Sequence, residues 1–175
     1  MSKKSFILIG LFWLALIGGL AGFKEFTLRT GEEFLLRTLP VDPRDLFRGD
    51  YVVLNYDIST FDATAAGLDQ ESPALLFGRD VYTALEVRDG YASATGVHLQ
   101  KPGWPFIKGR VNSVSSGGEI QVWYGIESYF VPEGKGGLIE ERRDEGIDVR
   151  VSVDTFGNAA IRSLVIGGED FRFQP

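Results

Sequence analysis

An uncharged apolar segment near the N-terminus limits most strongly what this chain can fold into. It runs from Phe6 to Phe23, F-I-L-I-G-L-F-W-L-A-L-I-G-G-L-A-G-F, and its 18 residues include no charged side chain. A helix of that length rises about 27 Å, enough to cross a thin hydrocarbon core. The segment predicts a transmembrane anchor within residues 1–24, followed by one domain over residues 25–175.

A cleaved signal peptide is the alternative for the same segment. Secretory apolar regions usually run about 7–15 residues, which favours a retained anchor, whereas Gly19-Leu20-Ala21 is a tolerable small-x-small cleavage site. Basic residues lie on both sides of the segment, so they scarcely decide its orientation. Because long domains translocate largely regardless of charge, we expect a single-pass protein of the inner membrane whose domain faces the periplasm or the cell exterior.

Composition excludes several classes of function. Residues 24–175 hold 16 basic and 24 acidic residues, a net charge of −8, which argues against nucleic-acid binding because such sites need clustered positive charge. The chain has no cysteine, so disulfides and thiolate sites are excluded. His98 is the only histidine, which excludes His-rich metal centres and any Ser-His-Asp site without it. We expect no metal and no cofactor, and a structural or surface place for His98.

From Glu25 onward the pattern is mostly β. Strands are predicted at 34–39, 50–58, 81–88, 91–99, 106–111, 119–124, 148–154 and 159–166. Asp89-Gly90 and Phe156-Gly157-Asn158 are turn signals between neighbouring strands. Short helical turns are predicted at 62–67 and 136–144. The expected fold is mainly β: one N-terminal transmembrane helix, then one compact β-sheet or barrel-like domain with one or two short helices.

The stretch 41–59, V-D-P-R-D-L-F-R-G-D-Y-V-V-L-N-Y-D-I-S, is the densest in local signals. Asp42 is a good helix N-cap, and Pro43 suits the first helical position because its missing N–H costs nothing there. Gly49 suits the left-handed residue that ends a short helix. The stretch therefore predicts one helical turn that includes Leu46 and Phe47, a glycine stop and a central strand.

The corner between the turn and the strand has two interpretations. A charged residue at a helix-to-strand turn can contact a ligand. In the structural interpretation, which we favour, Asp50 pairs with Arg44 or Arg48 while Tyr51 packs.

The same stretch carries a family pattern. Residues 49–56 match G-D-Y-x-x-L-x-Y in full, and the surrounding P-V-D-P-R-D-L-F-R and the later Y-G-I-E-S-Y-F-V-P-E-G-K-G at 124–136 agree with it. The chain resembles the GDYXXLXY family, which implies a membrane-associated bacterial protein and brings no established activity. The candidate motif or binding residues are Asp42, Pro43, Arg44, Arg48, Gly49, Asp50, Tyr51, Leu54, Tyr56, Tyr129, Glu133 and Lys135.

A second resemblance is to type I signal peptidases. Residues 43–53, 106–111 and 131–135 are similar, in order, to that family's P-T-L-x-x-G-D-x-V strand, its Y-I-K-R-V run with the lysine base and its V-P-E-G-H loop. The register puts Pro40 or Val41 where the serine should be, and neither has a nucleophilic oxygen. The later G-D-N-R box has no match. The resemblance implies a related β-scaffold without the peptidase activity.

Three functions follow as hypotheses. The leading one is a membrane-anchored, non-catalytic accessory or interaction protein of the cell envelope that partners an integral membrane protein. The enzyme alternative is a divergent hydrolase that uses Thr38, which is out of register by two or three residues, and Lys108 as its base. The third is an envelope ligand or glycan sensor built on aromatic side chains. We expect most of these to fill the core: Trp104, Phe106, Trp123, Tyr124, Tyr129 and Phe130.

Overall fold

The computed structural model describes residues 3–39, 47–48, 51–63, 73–132, 139, 142 and 145–172. The helices are α1 (Lys3–Thr30) and α2 (Pro73–Leu76), with a 3-10 turn at Asp57–Ser59. The strands are β1 (Glu32–Leu36), β2 (Phe47–Arg48), β3 (Tyr51–Val53), β4 (Thr60–Asp62), β5 (Asp80–Arg88), β6 (Tyr91–His98), β7 (Phe106–Val114), β8 (Glu119–Trp123), β9 (Ser128–Phe130), β10 (Ile147–Val153), β11 (Ala159–Ile166) and β12 (Glu169–Phe171).

Helix α1 projects from the domain with its apolar side chains uncovered. Phe6 is 71% exposed, Leu14 72% and Ile17 65%. Among the described helices, this one is long and apolar enough to cross a membrane. The helix continues to Thr30, so the prediction of β structure from Glu25 onward was wrong for its first residues. An ion pair between Arg29 and Glu25, one turn apart on the helix, stabilises these last turns.

The strands form a mainly β, nearly closed barrel-like sheet in which every described pairing is antiparallel. The orders are β1-β10-β11-β12, β2-β3-β9 and β4-β8-β7-β5-β6. Alternating apolar residues of these strands meet in one core, which includes Leu36, Val81, Ile107, Val151 and Leu164.

Both predicted hairpins are confirmed. Asp89 and Gly90 join β5 to β6 with positive φ angles of 52° and 85°, as a two-residue hairpin turn requires. Strands β10 and β11 pair from Ile147↔Ile166 to Val153↔Ala159 around the second turn. Strand β12 was not predicted, because it is short and largely exposed and so lacks a hydrophobic pattern.

The stretch 41–59 departs from prediction at two points. Phe47 pairs with Val52 in a strand, so it does not belong to a helical turn. The predicted strand 50–58 ends at Val53, and the backbone changes partner just beyond Leu54, whose N still donates to Glu127 O at 2.8 Å. Residues before this point pair with β9, whereas Asn55 accepts a hydrogen bond from Leu39 N at 2.8 Å. Residues 42–46 and 49–50, most of the turn predicted at 62–67 and most of that at 136–144 lie outside the described residues. Asp62, however, ends β4.

Candidate functional site: the motif strand and its aromatic face

Strand β3 turns two kinds of side chain in opposite directions. On the inner side, Val52 is fully buried and Leu54 is 3% exposed. On the outer side, Tyr51 is 49% exposed and packs edge-to-face against Phe130, with ring centroids 5.5 Å apart. The pairing Tyr51↔Phe130 between β3 and β9 sets this contact. The motif thus supplies core residues and one ring of an exposed aromatic pair.

Tyr56 is a fully buried polar residue of the motif. Its side chain is fully buried, and its hydroxyl donates to Ile126 O at 2.6 Å. Burial, with a smaller contribution from the charge of Glu127, raises the pKa of Tyr56 well above its ordinary value. The phenol therefore stays protonated and remains a donor, which gives Tyr56 a structural role inside the domain.

An open groove of about 300 Å³ runs beside the motif strand. Its walls include Val53 and Asn55 from the motif, together with Gln121 and Trp123 of β8. Trp123 is 51% exposed, so one face of a large aromatic ring is open to a partner. Glu127 also lines the groove, but its carboxylate accepts hydrogen bonds from the backbone N–H groups that follow Trp123, and so holds the local turn.

The aromatic residues expected in the core divide between two environments. Phe106 and Tyr124 are buried, at 1% and 6% exposure. Trp123, Phe130 and Trp104 are 51%, 46% and 41% exposed, so the core prediction was wrong for these three. The alternation of β8 and β9 places Trp123 and Phe130 on the outer side of their strands. We call Tyr51, Trp123 and Phe130 the motif-side aromatic face.

The structure gives Thr38 and Lys108 separate partners. Thr38 forms an isolated bridge with Tyr56, and its hydroxyl donates to Ile147 O at the start of β10. Lys108 lies on β7, and its ammonium pairs with Asp80 Oδ2 at 2.9 Å. The hydrogen bond from Lys108 is the main reason why the pKa of Asp80 is lowered. The Thr38 hydroxyl and the Lys108 ammonium are thus bonded to different groups and not to each other.

The other predicted site residues have different outcomes. Tyr129 pairs with Val52 and lines a second cavity of about 210 Å³, together with Lys24 and Leu28 of α1. His98 ends β6 and is exposed. No described His, Asp or Glu residues form a group of three or more that is able to hold a metal ion.

The remaining candidate residues lie outside the described part of the chain. They are Asp42, Pro43, Arg44, Gly49, Asp50, Glu133 and Lys135, together with the side chain of Arg48. The pairing of Asp50 with an arginine therefore stays a prediction.

Sequence reasoning missed the junction between α1 and the sheet. Thr27 is 1% exposed, and its hydroxyl donates to Asp154 Oδ2 at 3.0 Å. The Asp154 carboxylate also accepts from Phe156 N, Asn158 N and Asn158 Nδ2. Burial alone would raise the pKa of Asp154. Hydrogen bonds from Asn158, Thr27 and Phe156 N together outweigh burial, so the pKa is lowered from its ordinary value. Asp154, two residues before Phe156-Gly157-Asn158, is of a residue type that favours turns, whereas nothing in the sequence marks Thr27 as its partner.

The chain thus falls in the class of β-domains that continue directly from a long apolar N-terminal helix. The family model for the GDYXXLXY protein matches residues 13–164, most of the chain, and this protein belongs to that family. No curated protein and no solved structure matches it. The matched region runs from within α1 into β11, so the helix and the sheet both belong to what the family shares.

Proposed function

We propose that this protein is a membrane-anchored, non-catalytic accessory protein of the bacterial cell envelope that binds an integral membrane protein. One observation carries the proposal: α1 leaves its apolar side chains uncovered while its last turns are built into the domain. An exposed helix of this composition needs a bilayer around it. The domain then stands at the surface of the inner membrane, facing the periplasm or the cell exterior.

Retention of the helix is supported by the junction. Helix α1 runs without a break through Gly19-Leu20-Ala21, where a signal peptidase would have to cut. Thr27 lies only six residues beyond Ala21 and is buried against Asp154. A helical peptide bond must unwind before a protease can cleave it, and here the C-terminal side of the helix is held in place. The intact N-terminus is tested by the mass of the protein purified from membranes.

Two observations support binding rather than catalysis: the partners of Thr38 and Lys108, and the exposure of the motif-side aromatic face. The hydroxyl of Thr38 and the amine of Lys108 are each engaged with other groups. In contrast, the three rings of the motif-side aromatic face are about half exposed, and one of them, Trp123, lines an open groove. Tyrosine, tryptophan and phenylalanine are enriched at protein interfaces, where each ring buries a large area at a small cost in side-chain entropy.

Affinity purification in detergent at native expression level tests the proposal. Wild type and a control, Val87→Ser, which alters another exposed apolar residue, are expected to recover the same multi-span membrane protein in stoichiometric amount. The double variant Tyr51→Ser, Phe130→Ser is expected to lose it while staying in the membrane. Recovery of wild type alone would contradict the proposal. Equal recovery by the double variant would move the binding surface elsewhere.

A further inference from the structure

The β10–β11 turn lies beside the part of α1 that leaves the apolar segment. Asp154 contacts Thr27, and Lys24 Nζ donates to Ala159 O at 3.2 Å. Thr27 follows Phe23 by four residues, a rise of about 6 Å along the helix. The headgroup layer on each side of a bilayer is roughly 5–8 Å thick. If the apolar segment ends at the hydrocarbon boundary, the turn is level with the lipid headgroups.

The domain is held at this height because the junction has no flexible linker. Ser152 Oγ lies 3.3 Å from both Leu28 O and Gly31 O and can donate its single hydrogen to either, and Arg162 donates to Leu28 O. Gly31 is the single residue between α1 and β1, and a Cβ there would lie 2.6 Å from Thr27 O. The sheet therefore packs directly on the helix, and the turn stays beside it.

The chemistry of the turn suits a lipid surface. Phe156 at the tip of the turn is 64% exposed, although the two strands that the turn joins are mostly buried. The ammonium group of Lys101 donates to Thr155 O at 3.1 Å and lies 5.8 Å from the centroid of the Phe156 ring. Lys24 is exposed, and its ammonium group donates to Ala159 O at the start of β11, just after the turn. The carboxylate of this turn, Asp154, is turned inward, is 2% exposed and accepts hydrogen bonds from Thr27, Phe156 N and Asn158, so it is not presented at the surface beside the two lysines.

We propose that this turn is a second membrane contact: Phe156 enters the headgroup layer of the bilayer that α1 crosses, and Lys24 and Lys101 bind lipid phosphates. Aromatic rings and lysines with apolar stems are the side chains that favour this boundary. Both lysines are exposed, although residues 24–175 carry a net charge of −8. The inference rests on the proposed anchoring by α1, because the height of the turn is counted from that helix.

Single-cysteine labelling of the full-length chain tests the contact, since the chain contains no cysteine of its own. The protein is reconstituted in vesicles of phosphatidylcholine and phosphatidylglycerol, with an environment-sensitive fluorophore at one position. Thr155→Cys places the label in the turn and keeps Phe156. Val87→Cys labels an exposed site near the Asp89-Gly90 hairpin, whose Tyr91 bonds to Asp148 at the end of β10 that is remote from α1. Leu14→Cys labels the middle of α1. Nitroxides on lipid headgroups or on acyl chains serve as quenchers.

The expected result is several-fold stronger headgroup quenching at Thr155 than at Val87, reduced when Phe156→Ser is added. Acyl-chain quenching at Leu14 reports the anchor separately. Quenching at Leu14 with none at Thr155 overturns the contact and leaves the anchor. No quenching at Leu14 overturns the anchor itself. Unchanged quenching after Phe156→Ser overturns the role of Phe156. A Thr155 label shielded only in native membranes, and not in pure lipid, assigns the turn to a protein partner and overturns the lipid contact.

Discussion

Tyr56→Phe removes one buried oxygen from the family motif and changes nothing else in the ring. The ring is fully buried, so phenylalanine leaves its packing in place. What is lost is the hydrogen bond from the hydroxyl to Ile126 O at 2.6 Å, and a buried carbonyl is left without that donor. The cost is about 1–3 kcal/mol of the free energy of unfolding. For a domain of this size the melting temperature falls by roughly 3–10 °C.

The pH dependence sharpens the test. The pKa of Tyr56 is raised in the folded state. A group of this kind contributes its full stability below its unfolded pKa and loses it as the pH rises through the folded one. Above about pH 10 the phenol ionises in the unfolded state but stays protonated in the folded state, which lowers the free energy of unfolding of wild type. Phenylalanine does not ionise, so Tyr56→Phe is spared this loss. The gap between the two proteins should therefore narrow in alkali.

The assay is urea and thermal unfolding of the full-length protein in detergent, followed by tryptophan fluorescence and circular dichroism. Tyr51→Phe is the matched control: it is the other motif tyrosine, it is half exposed, and its change is expected to stay within about 0.5 kcal/mol. Equal stability of wild type and Tyr56→Phe, or a larger loss for Tyr51→Phe, would refute the structural role assigned to Tyr56.

Three further predictions concern the junction, acid stability and the enzyme alternative. Gly31→Ala is expected to destabilise the protein by more than about 1 kcal/mol in thermal unfolding, because its Cβ meets backbone, whereas Gly22→Ala meets nothing within 4 Å and should be neutral or slightly stabilising. Asp154→Asn is expected to lower the urea midpoint at neutral pH. Because the folded pKa of Asp154 is lowered, its contribution is present above about pH 4 and disappears as the pH falls through the folded pKa, so the two midpoints should converge in acid. Cells that carry the double variant Thr38→Ala, Lys108→Ala are expected to process exported precursors as cells with the wild-type protein do, because Thr38 and Lys108 are engaged with separate partners; impaired processing with a folded variant would favour the hydrolase.

Local signals predicted the elements that local chemistry determines. The turn residues Asp89 and Gly90 adopt the positive φ angles that their types allow, and the strands on either side pair as expected. The valines of β10 alternate toward one core, which made its hairpin with β11 predictable. The apolar segment likewise became a helix, because nothing within it interrupts helical hydrogen bonding.

Contacts between distant segments were not predictable in the same way. Thr27 and Asp154 are 127 residues apart, and no periodicity connects them. The segment after Val53 leaves its neighbour β9 for residues 37–39, a change of partner that a run of β-branched and aromatic residues does not reveal. Trp123 looked like a core residue by type, yet the register of β8 turns it outward. Side-chain type was enough to predict the helix and most strands. Which side chains are exposed at the candidate site depends on strand register and on contacts between distant segments.

Only Gly31 separates α1 from β1, so the helix and the sheet move together as one rigid unit. Bilayers of different thickness tilt a spanning helix by different amounts. The Asp89-Gly90 turn lies away from the helix, because the neighbouring Tyr91 bonds to Asp148 at the start of β10, whereas the end of β10 at Val153 pairs with Glu32 next to α1. Any such tilt would swing that part of the domain sideways over the membrane. Which neighbour the domain is able to reach would then depend on the lipid around it as well as on its own surface.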